Sequence, residues 1–127
     1  MRFEHFALNV PDVLASAKWY VEHLGMKILR SQDVPPHMTF LADETGRPII
    51  EFYTNTTVAI PDHPSSHPLS FHVAFVADQA VKTKARLEAA GATVFKEDTL
   101  PDGTVLVMMR DPWGVPVQLV QRAKPLV

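Results

Sequence analysis

Four polar residues interrupt runs that are otherwise apolar. They are His5 in Phe3-Glu4-His5-Phe6-Ala7-Leu8, Glu51 in Ile49-Ile50-Glu51-Phe52-Tyr53, His72 in Phe71-His72-Val73-Ala74-Phe75, and Gln118 in Pro116-Val117-Gln118-Leu119. Side chains alternate between the two faces of a strand, so each of the four points away from its apolar neighbours. Two neutral imidazoles, one carboxylate and one amide oxygen can fill the first shell of a borderline divalent ion and leave positions for water or substrate. Left unpaired in an apolar setting, such groups would cost about 1 to 3 kcal/mol each. The alternative is a metal-free pocket in which the same side chains line an organic ligand, since a single His or Gln on a strand is ordinarily satisfied by backbone or water.

The spacing of the four points to a duplication. His5 and His72 are 67 residues apart, as are Glu51 and Gln118, while Asp12 and Asp78, and Gly25 and Gly91, are 66 apart. The chain is therefore read as two similar halves, modules of about residues 1–60 and 69–127 within one domain spanning 1–127. Each half has the order β-α-β-β-β. In the first, residues 3–10 form a strand, Asp12 caps a helix over Val13–Leu24 that Gly25 ends, and strands follow at 26–30, 37–42 and 49–53. In the second, strand 70–76 leads to a helix over 78–90 that Asp78 starts and Gly91 closes, then to strands at 92–97, 104–109 and 115–121. The last strands follow matching turns, Asp43-Glu44-Thr45-Gly46 and Asp111-Pro112-Trp113-Gly114, where Asp can bond nearby N–H groups and Gly tolerates positive φ. Residues 54–69 hold three prolines and several Ser, Thr and Asn, and read as a linker without an element of its own.

Composition narrows the function. A hydrophobic fraction of 46%, 20% charged residues and 127 residues in all suit one globular domain. The net charge of −2 comes without a Lys/Arg cluster, which argues against nucleic acid as a partner. Without Cys there is no thiolate nucleophile and no Cys-based zinc site. No apolar run approaches the roughly 20 residues of a membrane span, and no signal-peptide pattern is visible, so the expectation is a cytoplasmic protein with no membrane partner.

Other aromatic and His residues have ordinary readings. Trp19 and Tyr20 suit the core, Tyr53 shares a face with Glu51 and could line a pocket, and Trp113 in its turn suits an interface more than a lid. His23, His37, His63 and His67 fall at a helix end or in Pro-rich loops, where solvated positions are expected.

His5, the run Trp19-Tyr20-Val21-Glu22-His23-Leu24-Gly25-Met26-Lys27, Glu51 with Asn55, His72, and Asp111-Pro112-Trp113-Gly114 leading to Gln118 resemble the vicinal oxygen chelate (glyoxalase/bleomycin resistance/dioxygenase) superfamily. The closest likeness is to glyoxalase I-like proteins. The resemblance covers nearly the whole chain and implies an α+β fold, two tandem βαβββ modules forming an open cup-shaped mixed sheet with helices outside. It implies one divalent metal ion (Ni, Zn, Mn or Fe) at His5, Glu51, His72 and Gln118, and a homodimer. The implied activity is that of a lactoylglutathione lyase-like or related metal-dependent lyase or isomerase. Its small substrate would be chelated through adjacent oxygens, with Glu51 moving the proton. Asn9, Tyr53 and Asn55 are the expected substrate-pocket residues. Two departures stand out: Gln118 occupies a position that is commonly Glu and cannot take a proton, and Asn9 stands where a glutathione-binding Arg is expected. A small-molecule or drug-binding protein without catalysis, or a ring-cleaving dioxygenase, are the alternatives.

Overall fold

The structure is a computed structural model that describes the backbone of residues 1–127 and every side chain except that of Pro48. The chain divides into two compact units, Met1–Pro61 and Asp62–Val127. In module 1 the order is β1 (Phe6–Asn9), α1 (Val13–Leu24), β2 (Lys27–Ser31), β3 (Thr39–Ala42) and β4 (Pro48–Tyr53). Module 2 repeats it with β5 (Val73–Val76), α2 (Ala80–Ala89), β6 (Thr93–Thr99), β7 (Val105–Arg110) and β8 (Pro116–Gln121), preceded by a 3₁₀ turn at His63–Ser65. Each module carries a four-stranded mixed sheet, ordered β1-β4-β3-β2 in one and β5-β8-β7-β6 in the other. The expected α+β class and tandem βαβββ modules are thus observed.

The register shows how closely the halves match. In module 1 Glu51 pairs with Ala7 on the parallel side and with Phe40 on the antiparallel side. In module 2 Gln118 pairs in the same way with Ala74 and Met108. The last strand of each module is therefore internal to its sheet, which fixes its backbone from both sides.

Packing turns that register into two faces. Ile50 and Phe52, the neighbours of Glu51, are fully buried, and Phe52 meets Tyr20 of α1 edge-on at 5.0 Å. Val117 and Leu119, the neighbours of Gln118, are each 1% exposed. Burying such side chains stabilises the fold by about 1.5 to 3 kcal/mol each, so a one-residue slip that exchanged Glu51 with Phe52 would be strongly penalised.

Local signals explain α1 better than α2. The Asp12 carboxylate accepts from the Ala15 N–H at 2.9 Å, and Gly25 ends the helix with φ of 69°. Asp78 does not cap α2. The N-cap position falls on Gln79 without a side-chain cap bond, and the Ala80 N–H instead donates to Gln121 Oε1 of β8 at 2.9 Å. The expected linker also contains an element, because Asp62 accepts from the Ser65 N–H and Pro64 suits the first positions of a 3₁₀ turn. Among the described residues, no helix is long and apolar enough to cross a membrane.

Candidate metal and substrate site

Module 1 places its two donors in contact. His5 immediately precedes β1, and its ring meets Phe40, the residue opposite Glu51, edge-on at 5.3 Å. His5 Nε2 lies 3.1 Å from Glu51 Oε2, while Nδ1 lies 3.1 Å from Glu4 Oε2. A carboxylate only accepts, so Nδ1–H donates to Glu4. Nε2 faces the second carboxylate, that of Glu51, and one neutral imidazole cannot donate to both. Glu51 is only 9% exposed, with the imidazole as its polar neighbour.

Module 2 places its donors at the equivalent positions. His72 immediately precedes β5, and its Nδ1 lies 3.0 Å from the Pro68 carbonyl oxygen. That oxygen can only accept, so Nδ1 carries the hydrogen and Nε2 is left with the lone pair. Gln118 is half-buried on β8. It lines a cavity of about 320 Å³ with Met108, Leu106, Phe95 and Leu69 among its walls.

The donor chemistry fits a divalent ion. Metal-bound His residues almost always donate their second ring N–H to a carboxylate or backbone carbonyl, which sets the tautomer and orients the ring. His72 does so through Nδ1 with the Pro68 carbonyl as acceptor, which leaves its Nε2 as the ligand nitrogen, and His5 has Glu4 beside its Nδ1. The structure brings His5 and Glu51 together as one pair. Among the described residues no group of three or more His, Asp or Glu side chains is arranged to hold a metal ion.

The expected pocket residues divide. Tyr53 is half-buried two positions beyond Glu51 on β4, on the same face. Asn9 is 7% exposed, and its amide is committed to the Asn55 backbone: Nδ2 donates to Asn55 O, and Oδ1 accepts from the Asn55 N–H, both at 2.8 Å. Asn55 Oδ1 accepts from the N–H and hydroxyl of Thr57. These two amides shape the chain leaving β4. Trp19 and Tyr20 are in the core, at 7% and 0% exposed.

Arg110 has no functional reading from sequence, yet it organises the entry to β8. From the end of β7 its Nη1 donates to His63 O at 2.9 Å and to Gly114 O at 3.1 Å, and Nη2 donates to Ser66 O at 2.6 Å. His63, expected on the surface, is 6% exposed, because the 3₁₀ turn carries it inward. Asp111 Oδ1 accepts from the N–H groups of Trp113 and Val115, both at 2.9 Å. Gly114 has φ of 89°, and a Cβ there would lie 2.5 Å from Pro64 Cγ. The signal for this strap was the Asp-x-Pro-Ser cap pattern at 62–65; its contact with Gly114 is long-range and has no local signature.

Paired βαβββ modules whose internal last strands carry polar residues opposite a buried apolar face define a class of small α+β proteins. The chain belongs to the Glyoxalase/Bleomycin resistance protein/Dioxygenase superfamily, whose family model matches residues 2–119. It is 30% identical over 128 residues to a lactoylglutathione lyase of Salmonella typhimurium, covering 95% of this chain and 93% of that protein. A lactoylglutathione lyase of Neisseria meningitidis is 30% identical over 129 residues, covering 96% and 91%. Among solved structures, glyoxalase I from Zea mays matches with a TM-score of 0.75 at 28% identity, covering 97% of this chain and 45% of that one. The chain thus spans less than half the length of the maize protein.

Proposed function

We propose that this protein is a metal-dependent lyase or isomerase of the glyoxalase type, acting on a small substrate that presents two adjacent oxygens. The observation that carries this reading is the His5–Glu51 contact, a nearly buried carboxylate 3.1 Å from an imidazole nitrogen. It is supported by the relatives named lactoylglutathione lyase. In this proposal His5, Glu51, His72 and Gln118 hold one divalent ion, and the two module pairs come from one chain or from two copies in a homodimer. A bound ion would polarise the two substrate oxygens and acidify the carbon-bound hydrogen beside them.

The chain's own residues divide the remaining work. Glu51 is the single carboxylate of the four, so it is the base. Its Oε2 faces His5, which leaves Oε1 to take a proton from one substrate carbon and return it to the next. The Gln118 amide orients without titrating. Tyr53, on the Glu51 face of β4, borders the substrate.

The test is turnover of methylglyoxal with glutathione by protein loaded with Ni, Zn, Mn or Fe, beside Glu51→Gln. Activity in the wild type that is lost in the variant supports the reading. Stoichiometric metal without turnover would exclude that substrate pair, and absence of metal binding would overturn the proposal. Light scattering that found a monomer at micromolar concentration would overturn the homodimer.

A second reading is favoured by the cavity beside Gln118, whose walls include Leu69, Phe95, Leu106 and Met108. In it the protein sequesters an apolar small molecule without catalysis. Tight ligand binding that is indifferent to chelators would select this reading over the first.

A further inference from the structure

The Pro68 carbonyl that sets the His72 tautomer belongs to the chain segment between the 3₁₀ turn and β5. Arg110 anchors the start of that segment. Its guanidinium reaches the carbonyls of His63 and Ser66 on the segment and of Gly114 on the facing turn. Three acceptors in these directions match the planar fork of Arg, which an ammonium does not reproduce. The approach of Pro64 to Gly114 presses the same segment against that turn. Beyond Ser66 the chain is fixed locally, by Leu69 N–H to His67 Nδ1 at 3.1 Å and Ser70 N–H to His67 O at 2.8 Å. Contacts therefore run without a break from Arg110 through Ser66 and His67 to Pro68, and from the Pro68 carbonyl to His72 Nδ1.

We propose that Arg110 is a positioning residue for His72. By fixing residues 63–68 it fixes the Pro68 carbonyl, and with it the Nδ1–H tautomer that leaves Nε2 as the acceptor nitrogen. The consequence for metal binding rests on the function proposed above, whereas the orientation of the ring does not. Module 1 lacks this device. Ala42 occupies the place of Arg110, each pairing with the first residue of its module's last strand, and His5 Nδ1 is met instead by the exposed Glu4.

The tautomer can be read directly by ¹⁵N–¹H correlation spectra of the imidazoles in metal-free protein, in mildly alkaline buffer. The wild type is expected to show His72 as the Nδ1–H form. In Arg110→Ala the His72 signal should shift toward a mixture of tautomers while His5 stays unchanged, and cobalt(II) affinity should fall about tenfold. Arg110→Lys, which keeps the charge and loses the fork, should lie between. A folded Arg110→Ala with the wild-type His72 tautomer would overturn the inference, since a purely structural clamp lowers stability without moving that signal. If Arg110→Ala fails to fold, Arg110→Lys decides by the same signal. Failure of the wild type to bind cobalt(II) would strike the metal reading alone, because the tautomer measurement still judges Arg110.

Discussion

The two modules share their backbone and differ in what they do with it. Glu51 and Gln118 occupy the same register, and the turns before β4 and β8 have the same form, with Gly46 N–H donating to Asp43 O and Gly114 N–H to Asp111 O. Yet module 1 pairs an imidazole with a carboxylate, and module 2 places a neutral amide beside a cavity walled by Leu69, Phe95, Leu106 and Met108 with Lys96 and Asp98. The Asp43–Gly46 turn stands open, with nothing within 4 Å of a Cβ built on Gly46, whereas the Asp111–Gly114 turn is packed against Pro64 and strapped by Arg110. One backbone geometry therefore carries a charge in module 1 and a tightly packed turn in module 2.

The largest expected effect comes from erasing the chemical difference. Glu51→Gln gives module 1 the amide of module 2, and kcat should fall about 100- to 10,000-fold in steady-state assays on metal-loaded protein. Gln118→Ala removes a donor but no base, so its main effect should be on metal affinity measured by competition titration. Equal losses of kcat in the two variants would mean that the modules do not divide the work as proposed.

The turns give the next contrast, read by urea denaturation. Gly114→Ala combines a positive φ with overlap on the Pro64 backbone, and should destabilise by about 3 kcal/mol or more. Gly46→Ala meets only the conformational penalty, about 1 to 2 kcal/mol. The helix starts differ less. Asp12→Ala should cost about 1 kcal/mol, and Asp78→Ala, which removes no cap, should stay within about 0.5 kcal/mol.

The smallest effect is a pH dependence confined to module 2. The N–H and hydroxyl of Thr104 donate to the Asp102 carboxylate and hold its pKa below the ordinary value. A depressed pKa stabilises the fold above the unfolded-state value, and that contribution is lost as pH falls through the folded-state value. Asp102→Asn should therefore be slightly less stable than the wild type at neutral pH, with the gap closing in acid. Urea midpoints measured across that range, with a gap that did not close, would contradict this.

What the sequence revealed tracks how local each cause is. The bounds of α1 could be read directly because Asp12 and Gly25 act within a few residues of the helix they end. The start of α2 was misplaced because its cap comes from Gln121, far along the chain on β8. The place of Glu51 and Gln118 between buried apolar neighbours was legible from alternation, whereas the strands expected at 3–10 and 70–76 are shorter and leave His5 and His72 just before β1 and β5. The burial of His63 and the reach of Arg110 were not, because both depend on a 3₁₀ turn meeting a glycine some fifty residues away. Asn9 shows the same limit: an amide on a strand reads equally well as a ligand contact or a backbone clamp, and only its distances to Asn55 distinguish them.

The matched parallel pairings also bear on how the chain folds. Phe6 meets Ile50 in one module and Val73 meets Val117 in the other, so both final pairings close loops of equal length. Closure entropy depends on that length alone, to first order, and gives neither half a head start. A difference in the speed at which the halves fold would then come from their hairpins and side chains, and the strap at Arg110 is one place for it. If the strap forms late, the second half would collapse as fast as the first and lock afterwards, which would appear as slow unfolding rather than as fast folding.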